Sequence, residues 1–556
     1  MDPLLASSSS SKLSGTIGVA EGLPGDDIQL IASPVTLPNG TVVPNRLVKA
    51  AMEEGIGNGG GVPDKRHRTL YKRWAEGGWG MIITGNVQVD PRHLATPHDR
   101  TFPDHSPSTI ASYALLRSSI LSSAPPTSPR PVVLMQISHP GLQSSSTICF
   151  SRPPWEAAIG PSAARPDTGH SALGWLLGRI LWPTKSRPIT DFDEWLDIVD
   201  LFVKGAQTAE SAGWDGVQIH SAHGYLLAEY LSPLTNPDPR PLPGVPWDIP
   251  LRLHLLWLIL TGIAKTTDKT FIKAVKINSS DFVQGGLDEA QSSSIIKTLV
   301  SWNLIDMLEI SGGNYSSPVF ATFDGFTSDP TSTSSPTRQS LFAHFTRTLL
   351  PDLPAPPCGP AIMLTGGLHS RHLIADAIRT RSCDLAGIGR PACVIPDLPD
   401  RVVLNREIPA EEAVLGGYNI PGGETMKYLL GGGRIRARLQ VRSRQYAPSS
   451  WTSYSELPRR RGHIHRPLTP AAAGAIRIRM RIHPPPPAHN AEYEPRYPLV
   501  GAGISTFWHE WQCSRLGRGV EPDMRMHWFW GGLLREAVWW GMLGGGPRGW
   551  WASWRG

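Results

Sequence analysis

A closed (β/α)8 barrel is the fold that this chain of 556 residues predicts, and three observations carry it. Eight short β-like apolar runs recur between Leu47 and Ile388, and helix-like stretches separate them. The ends of several runs then carry the histidines, amides and glycines that parallel α/β folds gather at the carboxyl edge of the sheet. An open doubly wound sheet is the alternative arrangement of the same elements.

Along the chain, residues 1–28 read as a flexible N-terminus, Ser-rich at Ser7–Ser11 and without an apolar run behind a basic start. Pro38-Asn39-Gly40 reads as a hairpin turn ahead of the first barrel strand. The eight runs are Leu47–Met52, Met81–Gly85, Val132–Gln136, Gly216–His220, Ile272–Lys276, Met307–Ile310, Ile362–Thr365 and Leu385–Ile388. Asp191–Ala212 and Leu287–Ser301 are the clearest helices between them. Residues 29–431 therefore form the expected barrel domain. No window approaches the roughly 18 apolar residues of a membrane span; Leu255–Ala264 comes nearest and is too short. A soluble, cytoplasmic protein is expected.

The five cysteines, Cys149, Cys358, Cys383, Cys393 and Cys513, are scattered without metal-type spacing. They suggest neither a disulfide framework nor a metal site, and a reducing compartment is the default. A pI near 9.1 invites a nucleic-acid reading, but the charge is local. Between Arg434 and Arg481 stand 12 Arg, no Lys and one acid, Glu456, a net +11, so the rest of a chain of net +6 carries −5. The Arg- and Pro-rich insert 432–496 keeps no amphipathic period and is expected to be disordered, so no specific nucleic-acid partner follows from it. Residues 497–556 read as an extended run at Tyr497–Val500, a turn at Gly501-Ala-Gly503, a helix at Phe507–Leu516 and a tail with seven Trp between Trp528 and Trp554. Gly501-Ala-Gly503 matches half of a dinucleotide fingerprint but lacks the third glycine and the βαβ unit around it.

The fourth run is the most informative. Gly216-Val-Gln-Ile-His-Ser-Ala-His-Gly-Tyr225 is a buried strand that ends in a small, turn-forming stretch, so His220, His223 and Tyr225 sit at its carboxyl end. A histidine pair at a strand end can also be a plain structural cap. As a metal site it lacks a third ligand nearby. At the seventh and eighth runs, Thr365-Gly366-Gly367 and Gly387-Ile-Gly389-Arg390 place glycines and a cation where barrels commonly bind phosphate, since only glycine lets backbone N–H groups approach closely. Read singly, each is also an ordinary tight turn.

Several motifs in order then resemble one family. Gln136-Ile-Ser-His-Pro-Gly-Leu-Gln143, Gln218 to Tyr225, Leu231-Ser-Pro233, Glu309-Ile-Ser-Gly-Gly313 and Gly387-Ile-Gly-Arg-Pro391 are similar to the Old Yellow Enzyme family of FMN-dependent NAD(P)H oxidoreductases, in its fungal NADH:flavin oxidoreductase-like branch. The likeness covers about residues 29–430 and resumes at Leu499–Gly517. It implies a TIM barrel with FMN at the carboxyl ends of the strands, NADPH or NADH as reductant, and hydride delivery to the activated C=C of a small enone, with secondary metabolism as a setting. One shared site serves both half-reactions, so no separate Rossmann domain is needed. By this resemblance His220 and His223 hydrogen-bond the substrate carbonyl and Tyr225 protonates the α-carbon. Gln136 pairs with the flavin ring, and Lys276 places a cation beside it. Met52 lies under the ring edge, and Gly313, Gly366, Gly367, Gly389 and Arg390 fall on the phosphate segments. No resident metal is implied, and a homo-oligomer is compatible with the sequence.

Three positions depart from the family pattern. Glu53 stands where Thr or Cys is usual. A carboxylate about 4 Å from a developing negative charge costs on the order of 4 kcal/mol at an effective dielectric of about 20, so the expectation is a flavin harder to reduce or a displaced Glu53. After Asn236 the usual Arg-Thr-Asp, Tyr-Gly-Gly-Ser and Glu-Asn-Arg loop is replaced by the Pro-rich Pro237–Pro250, and Leu142 stands where the family usually has Arg. Two other readings stay open: a redox-impaired descendant that binds FMN or a metabolite, and a phosphate-binding barrel of aldolase or isomerase type. The latter would need a Schiff-base lysine, for which Lys273 and Lys276 are the strand-five candidates.

Overall fold

Runs that read as continuously apolar do so because both faces of a parallel barrel strand are covered. In the computed structural model eight such strands pair in parallel: β1 (Leu47–Lys49), β2 (Met81–Ile83), β3 (Val132–Ser138), β4 (Gly216–Ser221), β5 (Ile272–Asn278), β6 (Met307–Ser311), β7 (Ala361–Thr365) and β8 (Leu385–Ile388). They follow one another in chain order, and β8 closes on β1 with Gly387 opposite Val48 and Ile388 opposite Lys49. The sheet is a closed (β/α)8 barrel, not an open doubly wound sheet. The structure describes residues 27–57, 59–126, 129–149, 151–166, 172–312, 345–415 and 498–527. The Arg/Pro-rich insert, the Trp-rich tail, nearly all of the N-terminal segment and Gly313 lie outside them. Every described residue belongs to one unit, residues 1–423 with 498–556.

Strand lengths differ from expectation for identifiable reasons. β1 and β2 stop at Lys49 and Ile83, short of Met52 and Gly85, as the chain bends over the barrel mouth after last bonds from Ala50 N to Ile388 O and Thr84 N to Leu134 O, both 3.0 Å. β3 and β5 instead run two residues beyond Gln136 and Lys276 because partners persist: Ser138 pairs with Gln88, and Asn278 with Ser311.

Inside the barrel, Val48, Met81, Ile83, Val132, Leu134, Ile272, Ala274, Met307, Ala361, Met363 and Leu385 form one apolar cluster. The hairpin Val35–Thr36/Val42–Val43 turns at Asn39-Gly40, where Gly40 has φ +87°, and joins that cluster through Val35, Leu37 and Val43. It plugs the amino end, leaving the carboxyl end for polar groups.

The outer helices are α1 (Lys65–Ala75), α2 (Pro107–Leu121), α3 (Phe192–Ser211), α4 (His254–Thr266), α5 (Glu289–Ser301), α6 (Arg371–Arg379) and α7 (Pro498–Gly517). Their starts follow capping chemistry. Asp64 and Asp288 form capping boxes with His67 and Gln291, and Asp191 caps α3. Leu287 therefore falls outside α5, because Asp288 is its cap. The expected extended run and turn before Phe507 are instead helical: α7 begins at Pro498, whose fixed φ and missing N–H suit a first helical position, and it carries Gly501 and Gly503 within it. A helical Gly501-Ala-Gly503 makes no phosphate turn. The later part of α7 lies against α1 and the short helix Pro391–Val394, with Trp508, Cys513 and Leu516 buried, Cys513 Sγ 3.5 Å from Cys393 Sγ, and Arg73 paired at 2.6 Å with Glu521 just beyond.

The departures at 237–250 and 142 have distinct structural outcomes. His254 ties the Pro-rich loop down from both sides, accepting from Leu242 N and bonding Ile249 O, each at 3.0 Å, while Trp247 is left 97 % exposed. Leu142 is buried, and its N–H donates at 2.8 Å to Oε1 of Glu229, itself 1 % exposed. Glu229 Oε2 has no hydrogen-bond partner, and among the described residues no cation pairs with this carboxyl. Burial therefore pushes it well above its ordinary value, and the Leu142 bond offsets this only in part.

A proton retained by Glu229 on folding contributes stability that is complete below the unfolded value of 4.5 and is lost as pH rises from there toward the raised folded value. Glu229→Gln, which keeps the shape without the charge, is expected to gain about 1 kcal/mol or more on the wild type between pH 5 and pH 7. Chemical denaturation at the two pH values measures it; an unchanged difference between the two proteins would show that Glu229 folds ionised.

Candidate active site

Strand register sets the site. Gln218 on β4 lies opposite Gln136 on β3, while His220 lies opposite Lys276 on β5, which lies opposite Glu309 on β6. Alternate residues of a strand share a face, so above the apolar cluster these side chains make an inward polar layer. Lys276 Nζ is 3.0 Å from Glu309 Oε1, and Gln218 Nε2 donates to Glu309 Oε2 at 2.7 Å. Lys276 thus shares its charge with a fully buried carboxylate. Gln136 is 3 % exposed, and its Oε1 has no partner.

At the end of β4 the chain turns sharply. His223 has φ +59° and Gly224 φ +72°, and Tyr225 caps the short helix Leu226–Leu231. This turn folds the motif back on itself. The His220 and Tyr225 rings lie 4.4 Å apart at 34°, and His220 Nε2 meets His223 Nδ1 at 3.2 Å. His223 Nε2 is 2.9 Å from Ser311 Oγ, and its backbone N–H donates to Asn278 Oδ1 at 3.2 Å. Burial, reinforced by His223 and Lys276, holds His220 well below its ordinary value, so it is neutral near pH 7. The two ring nitrogens expected to bind a carbonyl are bonded to each other.

Asn86, absent from the sequence reading, sits among these groups. It bonds the side chains of Gln136, His220, Tyr225 and Glu53. Its only local signal is its place just after a strand-end glycine. Glu309 and Ser311 lie within a recognised motif, but their partners emerge only from the register.

Glu53 accepts from Asn86 Nδ2. Burial first, then the carboxyls of Asp99, Glu54 and Glu510, push it well above its ordinary value, which favours its neutral form. A carboxyl that favours its protonated form lowers the electrostatic cost expected at this position. Glu54, next in sequence, has the opposite fate: burial would raise it, but Arg100 at 2.7 Å, His67 and Lys49 bring it below normal, and it also accepts from Gly85 N at 3.0 Å.

The glycine segments end β7 and β8. Gly366 and Gly367 adopt φ +118° and +76°, a conformation that resists side chains. A Cβ on Gly387 would lie 2.1 Å from Thr365 Oγ1, an atom with no hydrogen-bond partner of its own. Gly389 and Arg390 follow at the mouth, half-buried, with Met52 Sδ 3.4 Å from where a Gly389 Cβ would stand.

Two other sets of groups do not build catalytic sites. Lys273 lies toward the amino end of β5, donating to Phe271 O at 2.7 Å and facing Asp306 at 3.5 Å, so it is remote from the mouth; Lys276 is the strand-five lysine at the site. Asp90, His93 and His139 lie together, with His93 Nδ1 2.6 Å and His139 Nε2 3.7 Å from Asp90 Oδ2. Gly141 N–H donates to His139 Nδ1 at 3.1 Å, so the neutral imidazole carries its proton on Nε2, toward the carboxylate, where a metal would need a lone pair. In that trio His93 and Asp90 share a hydrogen bond, and His139 stands beside them.

The sequence model of the NADH:flavin oxidoreductase / NADH oxidase family matches residues 31–239. The NADH-dependent flavin oxidoreductase iliE of Hypocrea jecorina (strain QM6a) is 32% identical over 389 residues, spanning 69% of this chain and 91% of the relative. The NADH-dependent flavin oxidoreductase iccE of Talaromyces variabilis is 31% identical over 388 residues, 68% of this chain and 87% of the relative. The old yellow enzyme homologue from Zymomonas mobilis superposes with a TM-score of 0.52 at 20% identity, covering 68% of this chain and 93% of that one, which shows the shared barrel. The chain belongs to the NADH:flavin oxidoreductase / NADH oxidase family, the Old Yellow Enzyme group, and is an FMN-dependent oxidoreductase that draws on a nicotinamide nucleotide as reductant.

Proposed function

We propose that the protein reduces the activated C=C of a small α,β-unsaturated carbonyl compound, acting in the cytoplasm and in secondary metabolism. The observation that carries this reading is the convergence of His220, His223 and Tyr225 in one cluster beside Gln136 and Lys276. In this reading residues 29–431, completed by the helix after 497, are the catalytic unit, and 432–496 is an insert outside it. Among the described residues no helix is long and apolar enough to cross a membrane.

The residues present fit FMN. Gln136 Oε1 and Thr365 Oγ1 are buried and lack partners, as atoms awaiting a polar ring or phosphate do, and Gly366 and Gly367 hold the positive φ that lets backbone N–H groups turn toward an anion. Met52, Glu53, Gln136 and Lys276 would line the ring, and Gly366, Gly367, Gly389 and Arg390 the phosphate. When bound, FMN supplies the hydride-carrying chemistry between NADH or NADPH and the alkene.

The side chains then polarise and protonate the substrate. A carbonyl oxygen reaches the histidines once the His220–His223 bond opens, and a ring N–H released there donates to the oxygen as it gains negative charge. Tyr225 accepts from Asn86 at 3.1 Å, which aims the phenol, and its own O–H supplies the proton to the α-carbon. A redox-impaired FMN binder is the second reading, favoured by the Pro-rich Pro237–Pro250 in place of the family's usual loop. The absorption spectrum of the purified protein separates the two. Flavin bands bleached by NADH or NADPH and restored by cyclohexenone support the ene-reductase, whereas bands that no reductant bleaches support the binder.

Tyr225→Phe is expected to slow alkene reduction by about 100-fold or more while flavin reduction by the nicotinamide nucleotide stays within a few-fold. Stopped-flow measurement of each half-reaction decides, and equal losses in both would remove Tyr225 as proton donor. Because burial favours the neutral form of Glu53, Glu53→Gln is expected to keep the wild-type flavin midpoint potential at pH 7 and to exceed it only above the pH at which Glu53 ionises. A large upward shift already at pH 7 would mean that Glu53 is charged there.

A further inference from the structure

Asn86 directly follows Gly85 beyond the carboxyl end of β2 and is 4 % exposed. Its amide oxygen accepts from Gln136 Nε2 at 2.5 Å and from His220 Nδ1 at 3.0 Å. Its amide nitrogen donates to the Tyr225 hydroxyl at 3.1 Å and to Glu53 Oε1. Four bonds are the full capacity of a primary amide, and here all four go to side chains of the candidate site. An asparagine that merely closes a turn would spend them on nearby backbone instead.

The polarity of these bonds propagates. With Nδ1–H donating to Asn86, neutral His220 has its lone pair on Nε2. That lone pair accepts from His223 Nδ1 at 3.2 Å, and His223 Nε2 in turn accepts from the Ser311 hydroxyl at 2.9 Å. The chain runs from Asn86 through both imidazoles to β6 with one consistent direction.

We propose that Asn86 is a positioning residue that holds His220 as the Nδ1–H tautomer and aims the Tyr225 phenol, so that of the two imidazoles His223 is the one that donates to a substrate oxygen. The catalytic meaning of this proposal rests on the assignment of His220, His223 and Tyr225 to the substrate pocket; the tautomer does not. The low protonation tendency of His220 agrees with a neutral ring whose two nitrogens are distinguishable.

Ring-nitrogen NMR of the full chain with FMN bound, labelled with 15N-histidine, tests it, the His220 signals being assigned by their loss in His220→Asn. The wild type is expected to show the Nδ1–H tautomer, and Asn86→Ala to lose it in favour of Nε2–H or an exchanging mixture. An Nε2–H tautomer in the wild type, or an unchanged Nδ1–H tautomer in Asn86→Ala, overturns the proposal. Should Asn86→Ala fail to fold, the wild-type tautomer and Asn86→Ser, which cannot span the same four partners, decide the matter. In the oxidative half-reaction Asn86→Ala is expected to be at least 10-fold slower, with a smaller loss in flavin reduction. The predicted tautomer in a protein that reduces no alkene would sink the ene-reductase reading and leave the role of Asn86 in setting the tautomer intact.

Discussion

Closure of the parallel barrel is the constraint on which the site depends. Once β8 pairs with β1 the register is fixed all the way round, and with a side-chain period of two a one-residue slip of β5 would turn Lys276 out of the barrel. The register instead sets His220, Lys276 and Glu309 opposite one another on adjacent strands. The ion pair at the centre stands on apolar layers that exclude water from below. Burying both charges is costly, and the Gln218 bond to Glu309 helps offset that cost. Removing either partner would leave an uncompensated charge in the barrel, so the pair is constrained together.

Carboxyl groups around the mouth show how far environment sets charge. Glu53 and Glu54 are adjacent in sequence, yet one is pushed toward its neutral form by burial among other carboxyls and the other is held ionised by Arg100, His67 and Lys49. Glu229, walled in beneath Leu142 without a cation, joins Glu53 on the neutral side. Two of the buried carboxyls, Glu53 and Glu229, thus favour their neutral forms. That relieves the electrostatic objection to a glutamate at position 53.

Hydrogen-bond direction follows the same logic. A network of amides and imidazoles in a dry site is useful only when each donor meets an acceptor, because an unmatched polar group there is expensive. Asn86 imposes that match on Gln136, His220, Tyr225 and Glu53 together. The site therefore presents ordered, directional groups before any substrate arrives, which is how protein dipoles stabilise charge at little reorganisation cost.

Much of this was legible in one dimension. The eight strands announced themselves as apolar runs, because burial on both faces leaves that local trace, and the His220–Tyr225 motif and the glycines at 366, 367 and 389 lie on contiguous stretches whose turn chemistry is local. β3 and β5 run beyond their apolar patterns because pairing with Gln88 and Ser311 prolongs them, and α7 starts ahead of its apolar pattern because Gly501 and Gly503, which locally read as a turn, lie within the helix. Asn86 left only its place after a strand-end glycine, since its four partners lie 33 to 139 positions away in the chain. Local patterning thus established the barrel, the motif and the family likeness. Charge states, tautomers and the choice of partner had to wait for the closed barrel, because they depend on burial and on contacts between strands that sequence neighbours do not record.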